Sequence, residues 1–278
     1  MTITPLTKEN AQLWSSFLDS QASANFYQLL GWKTVFEDVF GYVAHYQLVL
    51  DSEGSPRGVL PMLLMPDIFR RKYLVSNPFS NFAGICAADA EAEKLLVEEA
   101  IRLARQERAR YVEFRQLARP LNHELPSKDS FVTLMLDLDS GADQIWNTIS
   151  SRNRTKIRKA EKNGLTVDFG MKHLRDFHRV YAINLRHLGT PIFPLRMFEK
   201  VAEVFKDRVE LLVLKSNGEV VSGMFLFKYK NLISEPWVAS LRQYNRIYVN
   251  NLLYWRAIQY ACENGCTTFD FGRSTVDT

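Results

Sequence analysis

LISEPWVAS (residues 232–240), LRQYNR (241–246), VNNLLYWRAIQYACENG (249–265) and TTFDFGRS (267–274) follow one another with almost nothing between them. The first and last have the composition of short strands, the second is a polar turn, and the third carries apolar residues at helical spacing. This order predicts two neighbouring strands of one sheet, bridged by a helix that starts where they separate. Pro236 cannot donate to a ladder, so it marks the expected point of separation.

Upstream, strands over 209–215 and 220–230 flank the Asn217-Gly218 turn, and 232–240 extends the meander. Helices are expected over 174–188 and 195–205 and a strand over 166–169. One long helix is expected over 143–163, opened by a capping box of Ser140 and Asp143. In the first half, Phe26, Leu29, Leu30, Val35, Phe36 and Val39 predict a helix or broken helix over 25–40, stopped by Gly41. Strands over 42–50 and 59–65 follow, then a helix over 90–108 and strands over 111–115 and 131–138. Both halves read as opening helices, an antiparallel meander, a crossover helix and a strand. The expected fold class is α+β, with domains at 1–140 and 141–278.

Composition agrees with two cores, since 278 residues with 46% hydrophobic content suffice for two domains of roughly 130 residues. A net charge of +4 falls short of an obligate nucleic-acid binder, while leaving room for a polyanionic ligand. Cys86, Cys262 and Cys266 are too few for a disulfide framework, and Cys262 and Cys266 have no neighbouring ligand to complete a zinc site. His45, His123, His173, His178 and His187 show no ligand spacing, so no metal is expected. The first residues carry no signal-peptide pattern, and the longest apolar run, 59–65, is too short to span a bilayer. A soluble, cytoplasmic protein without a transmembrane segment is expected, with peripheral membrane contact through basic residues. No Gly-x-Ser-x-Gly elbow, Walker loop or Gly-x-Gly-x-x-Gly fingerprint occurs.

SRNRTKIRKAEKNGLTV (151–167), HLGTPIFPLRMFEKV (187–201), EPWVASLRQYNR (235–246), NNLLYWRAIQYACENG (250–265) and FDFGRST (269–275) together resemble the Fem family of aminoacyltransferases. That family is a branch of the GNAT-like acyltransferases, and the likeness is nearest to its members associated with exopolysaccharide and PEP-CTERM systems. LLGWKTVFEDVFGY (29–42) and LVSNPFSNFAG (74–84) echo it in the first half. The resemblance implies tandem GNAT-like domains and transfer of an acyl or aminoacyl group to an amine of a small-molecule or nucleotide-linked acceptor. The donor would be acyl-coenzyme A or aminoacyl-tRNA. Relatives continue past FGRST with a further strand, so the second domain is expected to be incomplete at its C-terminus.

Acyl transfer to an amine needs a polarised donor carbonyl, a group to take the amine proton, and cations for the donor's phosphates. Glu235 is the candidate general base, Asp270 a second acid/base, and Trp237 a neighbouring substrate contact. Arg242, Asn245 and Arg246 occupy the turn before the crossover helix, whose positive end favours phosphate. The two glycines usual in a GNAT pyrophosphate turn are absent from RQYNRIYVNN (242–251). Arg273 and Ser274 end the last strand, where open sheets meet ligands. On the helix over 143–163, Trp146, Ile149, Asn153, Ile157 and Ala160 form an apolar stripe and Arg152, Arg154, Lys156, Arg158, Lys159 and Lys162 a cationic surface. Arg152, Asn153 and Lys156 are its candidate ligand contacts, for tRNA, a nucleotide-linked precursor or anionic lipid. A non-catalytic binding module, or an RNA-binding protein using this basic helix, is the alternative.

Overall fold

Two six-stranded sheets divide the strands between them, and the chain separates accordingly into residues 1–129 and 130–278. The computed structural model describes residues 1–116, 121, 123–128 and 130–275. Within those residues, no helix is long and apolar enough to cross a membrane. The three cysteines are free thiols.

The first unit contains β1 (Thr2–Pro5), α1 (Ala11–Ser20), α2 (Gly31–Phe40), β2 (Val43–Leu50), β3 (Pro56–Pro66), β4 (Lys72–Ser76), β5 (Cys86–Ala87), α3 (Ala90–Gln106) and β6 (Val112–Glu113). Its sheet runs β1-β2-β3-β4-β6, with β5 on β3, and α3 carries the chain across to the parallel pair β4/β6. The helix expected over 25–40 is broken. Phe26–Gln28 form a 3-10 turn in which Asn25 and Gln28 cap each other's backbone, and α2 then stops at Gly41, which takes φ +67° as a left-handed terminus requires. α3 starts where the Asp89 carboxylate accepts from the Ala92 amide at 2.9 Å. Its Leu96, Val97, Ala100 and Leu103 pack on Leu60, Met62, Leu64 and Leu74 of the sheet. β1, α1 and β4 are elements beyond those expected; the strands are too short for alternation to distinguish them from loop.

The second unit contains β7 (Phe131–Asp137), α4 (Gly141–Thr148), α5 (Ser151–Lys162), β8 (Leu165–Phe169), α6 (Leu174–Leu188), α7 (Leu195–Phe205), β9 (Val209–Ser216), β10 (Glu219–Tyr229), β11 (Leu232–Ser240), α8 (Val249–Glu263) and β12 (Thr268–Thr275). The sheet order is β7-β12-β11-β10-β9-β8, antiparallel except for β11/β12, which α8 connects. Two expectations are corrected here. The strand expected over 131–138 does not close the first half: it pairs antiparallel with β12, so the division falls before it rather than at 140. The helix expected over 143–163 is two helices, because Ile149 and Ser150 take extended ψ values of 134° and 144° and the Ser150 hydroxyl caps the Asn153 amide at 3.3 Å. Ser140 makes no side-chain cap.

Strand alternation sends Leu212, Leu214, Met224 and Leu226 toward α5 and α8, where they meet Ile157, Ala160, Leu252 and Leu253. Phe225 faces the other way, onto Phe177 of α6 and Phe198 of α7, with centroids 5.5 Å apart in each pair. Gly223 lets α6 approach: a Cβ there would lie 2.6 Å from Phe177 Cδ2 and 3.2 Å from the Leu212 carbonyl oxygen. Gly223→Ala should therefore cost about 1–3 kcal/mol through overpacking. An unchanged denaturant midpoint would show that the helix yields freely.

Candidate active site

β11 and β12 pair at only three positions, Leu232 with Thr268, Ile233 with Phe269 and Ser234 with Asp270. Beyond Ser234, β11 also changes register against β10: Phe227 faces Ser234 and Phe225 faces Trp237, so Glu235 and Pro236 together oppose Leu226. This is a β-bulge at the residue with no amide to donate, and it re-aims the side chains around it. The separation expected at Pro236 occurs there.

Glu235, at the mouth of this separation, is 5% exposed. Its Oε1 accepts from the Tyr254 hydroxyl of α8 at 3.1 Å. Burial pushes the Glu235 carboxyl up to about 8; the tyrosine bond opposes that rise and the nearby Asp270 charge adds to it. The Tyr254 hydroxyl is raised in turn, chiefly by burial and then by Glu235, and so keeps its proton as a donor. Asp270 is fully buried. Its Oδ1 accepts from the Thr133 hydroxyl of β7 at 2.6 Å and from the Gly272 amide at 2.8 Å. Burial raises its carboxyl, and these two bonds pull it back. Among the described residues its Oδ2 and the Ser234 hydroxyl have no hydrogen-bond partner, although both are buried. Two unsatisfied polar atoms thus lie at the last ladder pair before the strands part, where a ligand's polar groups would relieve their desolvation.

α8 begins at Tyr248, held at φ +64° without a side-chain cap, so its first amides are open to an anion. Ser240 ties this turn to the sheet, bonding Asn250 at 2.5 Å and Ser222 at 2.6 Å. Beside it is a groove of about 540 Å³ lined by Ser151, Arg152, Thr155, Lys156, Lys159 and Tyr248. The Lys156 ammonium lies 6.0 Å from the Tyr248 ring centroid. Arg152 and Lys156 are thus brought to the positive end of α8, as a phosphate site requires. Asn153 is exposed but does not line this groove. Arg242, Asn245 and Arg246 are exposed on a 3-10 turn, Arg242–Ile247, and Arg242 also donates to the His187 carbonyl at 3.4 Å.

Trp237 points into the aromatic core toward Phe198, 4.8 Å away. Arg273 and Ser274 pair with Thr133 and Val132, and the Arg273 guanidinium lies 4.1 Å from the Phe131 ring centroid. Lys159 and Tyr254 are absent from the expected set. Lys159 stands seven residues after Arg152 and three after Lys156, a helical spacing visible in the sequence. Tyr254 carries no such signal, being one of several aromatics on α8. Among the described residues no group of three or more His, Cys, Asp or Glu side chains is arranged to hold a metal ion.

Residues 150–277 match the family model of an acetyltransferase (GNAT) domain. Comparison with curated proteins finds no match. Among solved structures, the crystal structure of FemX superposes with a TM-score of 0.70 at 18% identity, covering 100% of this chain and 90% of that one. The C-terminal domain of a candidate lysylphosphatidylglycerol synthetase from Agrobacterium fabrum gives 0.64 at 13% identity, covering 96% and 79%. A tandem GNAT protein from the clavulanic acid biosynthesis pathway gives 0.61 at 10% identity, covering 100% and 90%. At these identities the likeness is one of fold. Each unit ends its meander in a parallel strand pair crossed by one helix, β4-α3-β6 and β11-α8-β12, so the units are tandem GNAT-like domains. With the GNAT match over 150–277, the chain is an acyltransferase.

Proposed function

We propose that this chain moves an acyl or aminoacyl group from acyl-coenzyme A or aminoacyl-tRNA to an amine of a cell-envelope or exopolysaccharide precursor, in the cytoplasm. The observation that carries the reading is a buried carboxyl, Glu235, raised to about 8 at the point where β11 leaves β12. A base with that proton affinity suits an amine acceptor, whose proton must leave as the new bond forms. In the proposed step the acceptor nitrogen attacks the donor carbonyl and Glu235 takes the amine proton. The carbon–sulfur or carbon–oxygen bond to the donor then breaks, and the departing thiolate or ribose alkoxide takes up a proton. Tyr254 orients the carboxylate, and Asp270 raises its proton affinity while holding β7 against β12 through Thr133.

Arg152, Lys156 and Lys159, with the uncapped start of α8, form the proposed donor-phosphate site, and Arg242 and Arg246, on the turn that leads into α8, are proposed to add to it. Asn153, Asn245, Trp237, Arg273 and Ser274 have a weaker geometric case as ligand contacts. Fem-like aminoacyl transfer is supported by the FemX and synthetase folds. Double charge reversal, Lys156→Glu with Lys159→Glu, should raise the donor KM about tenfold or more while leaving kcat within a few-fold. Thermal-shift titrations with coenzyme A thioesters and with charged tRNA identify the donor class. The tRNA response should collapse between low and moderate salt. A donor KM unmoved by the double reversal would remove the groove from the site.

A further inference from the structure

The most exposed apolar side chains among the described residues lie outside the acyltransferase domain, at the tip of the β3–β4 hairpin. Ile68 is 91% exposed and its neighbour Phe69 71%. Two adjacent large apolar residues held largely in water are costly unless something covers them. The tip that presents them is firmly built. Asp67 Oδ1 accepts from the Phe69 amide at 2.8 Å and the Arg71 amide at 2.9 Å, while Oδ2 takes the Arg71 guanidinium at 2.6 Å and the Tyr73 hydroxyl at 3.0 Å. Arg70 closes the turn at φ +60°. The Arg71 guanidinium also lies 5.0 Å from the Phe69 ring centroid on one face, and the Ile68 side chain takes no part in these bonds.

Cations surround the tip. Arg70, Arg71 and Lys72 follow it directly, and the Arg110 amide donates to the Lys72 carbonyl at 2.8 Å, bringing the turn that holds Arg108 and Arg110 alongside. The nearby carboxylates are turned to structural partners, Asp67 to Arg71 and Glu107 to Lys72. Arg70, Arg108 and Arg110 are exposed and have no carboxylate partner among the described residues. Behind the tip, Tyr73 and Tyr111 stand with ring centroids 4.9 Å apart. An apolar tip and a cationic collar match the acyl boundary and the anionic headgroups of a bilayer, and paired tyrosines suit that same headgroup level.

We propose that this hairpin docks the first unit on an anionic lipid surface, with Ile68 and Phe69 entering the acyl boundary and Arg70, Arg108 and Arg110 meeting phosphate headgroups. This surface is independent of the reading given to Glu235, and its test does not involve turnover. Co-sedimentation of the full chain with vesicles of phosphatidylglycerol and phosphatidylcholine should show binding that vesicles of phosphatidylcholine alone do not support. Ile68→Ser with Phe69→Ser should lower that binding at least about tenfold without changing thermal stability. Arg70→Glu with Arg110→Glu should lower it comparably, with added salt mimicking the loss. The proposal is overturned if wild type does not bind anionic vesicles or binds neutral ones equally, or if the serine variant binds as wild type. Single-stranded RNA competing at the same cations, with no dependence on Ile68 and Phe69, would also overturn it, in favour of a nucleic-acid surface.

Discussion

Glu235→Gln is expected to lower kcat by about a hundredfold to ten-thousandfold, the range supplied by a positioned general base. The wild-type kcat/KM should rise with pH through about 8, because the carboxyl acts only once it has lost its proton. In the glutamine variant that limb should vanish. Stability supplies a second readout that needs no substrate. The folded-state value lies above the ordinary 4.5, so folded Glu235 keeps a proton that the unfolded chain has released. The stabilisation from that proton is fully present below about pH 4.5 and is lost as pH rises through about 8. The glutamine variant has no such loss, and between pH 5 and pH 9 it should gain on wild type by on the order of 4 kcal/mol. A variant that retains turnover would dismiss Glu235 as the base. Parallel stability curves would show that the carboxyl is not perturbed by burial.

Trp237→Ala should be the most destabilising single change around the site. The indole is 5% exposed and packs edge-on against Phe198 at 4.8 Å, Phe227 at 5.2 Å and Phe225 at 5.5 Å. Truncating a buried aromatic of this size costs about 3–5 kcal/mol, which in a chain this long lowers Tm by about 6–20 °C. The residue stands two positions past Glu235 in the sequence, yet the bulge at Glu235 and Pro236 sends the two side chains to different surroundings. Thermal melts therefore separate the roles. A large fall in Tm marks Trp237 as packing, whereas an unchanged Tm with a raised substrate KM would make it a ligand contact.

The crossover over 232–273 was legible because its signals differ in kind: short strand segments with a proline, a polar turn, then a helical stripe of fixed length. Glu235 could be proposed as a site residue from the proline beside it. Arg152 and Lys156 could be read as one cationic surface, but not as neighbours of Tyr248, since that adjacency arises only when α5 packs on α8. The break between α4 and α5 was hidden because the apolar spacing continues through Ile149 and Ser150, and only the Ser150 cap on the Asn153 amide marks it. β7 was assigned to the wrong half for a related reason. A strand's own residues state that it wants a partner, not which one, and the partner here lies at the far end of the unit.

That distant pairing bears on how the protein is made. Met135 of β7 lies opposite Asp270 of β12, so roughly 135 residues must be synthesised between the two halves of one ladder, a separation that also slows refolding. At ordinary translation speeds β7 waits about 7–27 s on the ribosome with its ladder edge unpaired and Leu136 and Leu138 without the core they later join, while the meander behind it already has its local partners. Nascent chains stalled before residue 268 should accordingly recruit chaperones that the released chain does not, and the candidate site would be the last part of the second unit to form.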